Sequence, residues 1–167
     1  MTKKANAFTI VELLIVIVVI AVLAAISIVA YSGIQDRAHD SKRASDMGQV
    51  EKALKAYDAA HGGVRKTRNG TNLFTNGVHH QGWNSSVDST WLAFLRDEHG
   101  EMPVDPVNTI VGDNPPSSGN RNYYYHCYDS TTSASMSPSA QPFVRIGYHK
   151  SNNALVQRQF DVTACLD

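Results

Sequence analysis

The sequence predicts an α+β fold: one long N-terminal helix, transmembrane and then amphipathic, packed against a small antiparallel β-sheet head. Three observations predict it. From Phe8 to Ala30 the chain reads FTIVELLIVIVVIAVLAAISIVA, an apolar run whose single charge is Glu12. From Tyr31 to His61 apolar and charged residues recur at helical spacing, with no proline. The C-terminal third carries stretches of alternating polarity separated by turn residues.

The apolar run is long enough to cross a bilayer as a helix. A carboxylate at the centre of such a helix costs roughly 2.5–3.5 kcal/mol on insertion scales. Glu12 stands one turn in and costs less, yet a plain anchor has no use for it, so a partner is expected. The preceding stretch, Met1–Ala7, carries Lys3 and Lys4. It is too short and too polar for a secretory signal with its own apolar region. Its lysines predict a cytoplasmic N-terminus.

The string KKANAFTIVELLIVIVVIAVLAAI resembles the N-terminus of type IV pilins and pseudopilins. The resemblance implies a pilin-like fold and a prepilin peptidase cut between Ala7 and Phe8. It also implies N-methylation of Phe8 and a role in assembly for Glu12, the fifth residue after the cut. The cut would create a positive amine beside a helix end that already presents unpaired N–H groups and a positive dipole end. Glu12 can satisfy its own helix end, or the amine of a neighbouring subunit in a fibre. Between apolar helices one ionic contact sets register more than it adds stability. The alternative is a signal anchor whose Glu12 reaches back to the headgroups. The chain departs from the family at Ala7, where many members have glycine, and at Val29, where many have proline. Gly33 is the remaining candidate for a bend.

These boundaries divide the chain into a leader (1–7), a transmembrane and assembly helix (8–31), an amphipathic helix entering the head (32–61) and the head itself (62–167). After the membrane helix about 137 residues remain, enough for one small domain. The formal net charge is zero. Removing the leader makes the chain slightly acidic, which argues against nonspecific attraction to nucleic acid.

Within 32–61 the apolar stripe reads Ile34, Ala38, Ser45, Met47, Val50, Leu54 and Tyr57. Asp36, Arg37, Asp40, Lys42, Arg43, Glu51, Lys52 and Lys55 fill the other faces. Glu51 and Lys55 form an i, i+4 pair, and Gly62-Gly63 ends the helix. Continuous from Phe8 to His61, it would be roughly 80 Å long. Gly62 to Ser86 reads as a loop, with weak strands at Asn72–Phe74 or Gly77–His79. Its cluster Arg65, Lys66, Arg68 is a solvated loop or a contact for DNA or an acidic neighbour. A short helix follows, capped by Asp88, stapled by Val87 and Leu92 and stopped by Gly100. Trp91, Leu92 and Leu95 should face the core. The sequence MPVDPVN and the later Tyr123-Tyr124-Tyr125 again look like pseudopilins and small pilins. In some pseudopilins a loop near such a segment binds calcium, and Asp105, Asn108, Asp113 and Asn114 offer oxygens. Their spacing fits no EF-hand, and such residues also form turns.

Strands are predicted at Tyr123–Tyr128, Phe143–His149 and Ala154–Val162. Val144, Ile146 and Tyr148 share one face, as do Val156, Phe160 and Val162. Asp129 to Pro142 is a Ser/Thr/Pro-rich loop. Cys127 and Cys165 are either two separate buried thiols or one bond, which would close a loop of about 38 residues and contribute roughly 4 kcal/mol in the chain-entropy model. In type IV pilins a bond placed like this encloses the C-terminal surface region. The seven histidines are scattered apart from His79-His80. There is no nucleophile elbow, phosphate-binding loop or zinc motif. No catalytic residue and no cofactor is expected.

The sequence thus predicts a structural subunit of a type IV pilus-like filament, held in the cytoplasmic membrane before assembly and at the cell surface or in the periplasm afterwards. A homo-oligomeric helical filament, a prepilin peptidase, an assembly ATPase and a membrane platform are the partners implied by resemblance. Nucleic acid is a partner only for a competence fibre. A pseudopilin of a type II secretion or competence machine is the alternative within the class. A membrane-anchored extracellular binding protein or enzyme is the alternative outside it.

Overall fold

A computed structural model describes residues 8–65, 84–87, 91–109, 119–129 and 140–166, with only the backbone at Val29 and Ala30. The leader, Lys66 and Arg68, the weak strands and histidine pair at 72–80, Asp88, Asp113, Asn114 and most of the Ser/Thr/Pro-rich loop lie outside the described residues. Contacts divide the chain into two compact units, Met1–Ala38 and His39–Asp167.

Helix α1 runs Ile10–His61. In the first unit the Val- and Ile-rich sequence is a mediocre helix former in water. In an apolar medium a helix is the one single-segment structure that satisfies every backbone group. Its large apolar residues from Ile10 to Ile28 are all half or more exposed. The most apolar window has a mean hydropathy of 3.4 and is 0 % buried.

In the second unit α1 turns one stripe inward: Arg43, Asp46, Met47, Val50, Ala53, Leu54 and Tyr57 are buried. The spacing of three and four is the helical repeat. Ile34, Ala38 and Ser45, expected on the apolar stripe, are exposed instead. Arg43, expected on an outer face, has no exposure at all. The helix ends where Gly62 adopts φ 69° and its N–H donates to the Asp58 carbonyl at 2.8 Å.

The head's sheet has the order β2-β3-β4-β5. Its strands are β2 (Asn84–Ser85), β3 (Tyr124–Tyr128), β4 (Phe143–His149) and β5 (Leu155–Asp161). All its ladders are antiparallel; Cys127 faces Val144, and Val144 faces Phe160. β1 (Val64–Arg65) and β6 (Cys165–Leu166) form a separate parallel pair. Neither they nor β2 stand out in the sequence, because two residues carry no periodicity. Tyr125, Cys127, Val144, Ile146 and Tyr148 join Met47, Val50, Leu54 and Tyr57 in one core, with Val156 and Phe160 packed at its edge. On the other sheet face Gly147 lies under the Tyr124 ring, and a Cβ there would overlap the Tyr124 hydroxyl and the Val156 carbonyl.

The short helix differs from its expected form. Leu92 sits in the left-handed region (φ 42°, ψ 37°), so helix begins only after it, as a 3-10 turn Ala93–Leu95 continuing into α2, Arg96–His99. The Leu92 N–H donates to Asn84 Oδ1 at 2.7 Å, which directs that amide away from helix formation. Trp91, Leu92 and Leu95 are buried, and Gly100 closes α2.

Candidate assembly site

The first turn of α1 is built around Thr9 and Glu12. The Thr9 N–H donates to Glu12 Oε2 at 2.8 Å, and the Thr9 hydroxyl donates to the same oxygen at 2.7 Å. The Glu12 N–H reaches Thr9 Oγ1 at 3.3 Å. This is a reciprocal capping box. The pattern T-x-x-E at Thr9–Glu12 is its signal in the sequence, and Thr9 is a functional residue that the charge of Glu12 by itself does not point to. Among the described residues no donor reaches Glu12 Oε1. Phe8 is 79 % exposed beside it. The turn therefore presents one carboxylate oxygen and one apolar ring at the tip of an exposed apolar helix.

Residues 2–28 match the family described as the prokaryotic N-terminal methylation motif. The chain carries a type IV prepilin-like signal. No curated protein and no solved structure gives a match. The motif indicates a type IV pilin- or pseudopilin-like protein, and it implies prepilin peptidase processing and filament assembly in general. With the long apolar helix and the small antiparallel sheet, the architecture is pilin-like.

The remaining candidate residues of this prepilin-like chain lie in the head. Cys127 and Cys165 are bonded, with their Cα atoms 5.9 Å apart. The bond joins β3 to β6, and β6 in turn pairs with β1 just past the end of α1. The C-terminal strand is thereby fastened to the core.

Of the calcium candidates, Asp105 is fully engaged elsewhere. It accepts from Arg43 Nε at 2.7 Å and Nη2 at 3.0 Å, and both side chains are wholly buried. Its Oδ1 also accepts from the Val107 and Asn108 N–H groups. The Asn108 amide bonds to Ser86, both to its carbonyl and to its hydroxyl. Asp105 and Asn108 are therefore turn and clamp residues. Among the described residues no group of three or more His, Cys, Asp or Glu could hold a metal ion.

Arg43 is the centre of a polar network that the sequence did not reveal. Its Nη1 donates to Asp40 at 2.9 Å and to the Ser151 hydroxyl at 3.3 Å, and the Ser151 N–H donates to Asp40 at 3.0 Å. One turn on, Asp46 accepts from Lys42 and from the Tyr123 hydroxyl at 2.7 Å. Burial alone would lower the Arg43 pKa, but Asp105 and then Asp40 hold it above its ordinary value. Burial alone would raise that of Asp40, and the Ser151 N–H and Arg43 bring it below the usual carboxylate range. Burial, then the bond to Asp46, pushes the Tyr123 hydroxyl well up. The network joins α1 to the loop after α2 and to the β4–β5 turn, so it positions the head and has no open chemistry.

Proposed function

We propose that this chain is the structural subunit of a type IV pilus-like surface filament and has no catalytic activity. The peptidase cuts between Ala7 and Phe8, Phe8 is N-methylated, and subunits stack through residues 8–31. Glu12 keeps Oε2 on its own Thr9 and offers Oε1 to the Phe8 ammonium of a neighbour. The carrying observation is the capping box at the tip of an apolar helix whose large side chains from Ile10 to Ile28 are all half or more exposed. An exposed apolar surface of that extent demands a covering partner. In the membrane that partner is lipid, and in a fibre it is the same helix of other copies. The Cys127–Cys165 bond supports a head that stands outside the cytoplasm, in an oxidising compartment, as a filament subunit's does.

The test is mass spectrometry of filaments sheared from the producing cells, together with Glu12→Gln. Filaments should contain this chain starting at methylated Phe8. The Glu12→Gln variant should be cut normally and fail to polymerise. Chains that begin at Met1 in the released material, or filaments in normal amount from the variant, refute the proposal.

A further inference from the structure

The two edges of the four-stranded sheet are unlike. β2 is two residues long, whereas β5 runs seven, from Leu155 to Asp161, in unbroken register with β4. β4 is buried at most of its positions, while β5 alternates exposed and half-buried and has no buried residue. The ends of the β4–β5 ladder set its hydrogen-bond phase. The Lys150 N–H donates to the Ala154 carbonyl at 2.9 Å, and the Val162 N–H to the Pro142 carbonyl at 3.0 Å. Bonded and non-bonded pairs alternate along an antiparallel ladder, so Val156, Arg158 and Phe160 give their backbone groups to β4. Leu155, Gln157, Gln159 and Asp161 turn theirs to the outer edge, where among the described residues no group bonds to them. Natural sheets blunt such an edge with proline, lysine, a bulge or a short strand. β5 has none of these. Its one cation, Arg158, is drawn to Glu51 of α1 at 2.8 Å, and Lys55 of α1 lies over the Phe160 ring at 5.0 Å.

We propose that the β5 edge pairs antiparallel with the β5 edge of a second copy, joining the two four-stranded sheets into one. The strand's own sequence selects this occupant. Set antiparallel about Arg158, Leu155 faces Asp161 of the second copy and Gln157 faces its Gln159. Every outward-bonding residue then meets another. Each such pair exchanges two backbone bonds, about eight along the strand. On the α1 side Val156 lies opposite Phe160, and two half-buried apolar groups gain cover from each other. On the outer side amide opposes amide. The two Arg158 side chains meet at the axis, where like charges would work against pairing. Glu51 neutralises each of them from its own helix. A slip by two residues in either direction strands outward groups at one end of each copy. A two-fold pair of this kind is closed and does not propagate. It is a contact between heads, separate from stacking through residues 8–31, and it stands whether or not those residues span a membrane.

The test uses the full chain in detergent micelles, with a nitroxide on Leu155→Cys and pulsed electron paramagnetic resonance. In the proposed register the two labels stand six strand residues apart, a separation of about 20 Å. Two further variants read the contact itself. Gln157→Lys with Gln159→Lys sets ammonium against ammonium across the pair and should abolish that distance. Gln157→Glu with Gln159→Glu should abolish it too, and mixing the two variants should restore it. Both positions are exposed, so near-ultraviolet circular dichroism should stay unchanged throughout. A parent chain without the distance, even when concentrated until several copies share a micelle, overturns the proposal. A distance that persists in the lysine variant also overturns it and assigns association to another surface, such as the apolar helices. Membranes of the producing cells in which the label is immobilised but shows no label–label distance overturn it as well, and give the edge to a different polypeptide.

Discussion

Replacing the buried Arg43 by methionine should strongly destabilise the head. The side chain has no exposure, and it is bidentate to an Asp105 that is equally buried. Methionine fills the volume of the stem but leaves Asp105 as a buried charge facing no cation. Removing one partner of such a pair costs about 3–5 kcal/mol. At about 2.1 cal/mol/K of unfolding entropy per residue, the His39–Asp167 unit should lose roughly 10–20 °C in Tm. Thermal unfolding of the full chain in detergent, followed by near-ultraviolet circular dichroism, reads this directly. The second half of the test is Arg43→Met with Asp105→Leu. Burying two apolar groups in place of two charges is often neutral, so the double variant should recover most of the loss. A single variant within about 1 kcal/mol of the parent, or a double variant that sums two separate losses, refutes the clamp as the organising contact.

The other expectations follow from separate contacts. Reducing the Cys127–Cys165 bond reopens a separation of 38 residues and should lower stability by about 4 kcal/mol; denaturant melts with and without reductant check it. Gly147→Ala should destabilise the sheet, because its Cβ meets Tyr124 and the Val156 carbonyl, and loss of amide protection in β4 and β5 would report it. Burial, then nearby Arg121, lowers the His149 pKa. The unfolded chain therefore takes up a proton first, so stability is full above about pH 6.5 and falls as pH drops below it. Asp40, also lowered, adds its loss at more acid pH, below its unfolded value near about 3.9. Melts across this range in the parent and in His149→Gln separate the two, because only the upper step should vanish in the variant.

Much of the molecule is legible in the chain. The apolar run, the lone Glu12 and the capping pattern with Thr9 are local, so sequence fixes both the helix and its tip. Strands β4 and β5 are nearly as clear, since seven residues carry a period of two. The short helix and its stop at Gly100 follow the sequence, but it starts only at Ala93 because the amide of Leu92 is taken by Asn84, a contact that no local rule contains.

What sequence alone determined is the part governed by neighbours along the chain: an apolar helix, its polar tip, the stop at Gly62 and the alternation of the strands. What only the tertiary structure decided is which polar groups go inside. Arg43 reads as one more surface charge among its helical neighbours. It is buried because Asp105, Asp40 and Ser151 arrive from distant segments to satisfy its charge and its donors. Burial of a charge depends on partners that spacing along the chain cannot show, whereas exposed aliphatic side chains such as Val104 and Val107 are the geometric consequence of turning that charge inward.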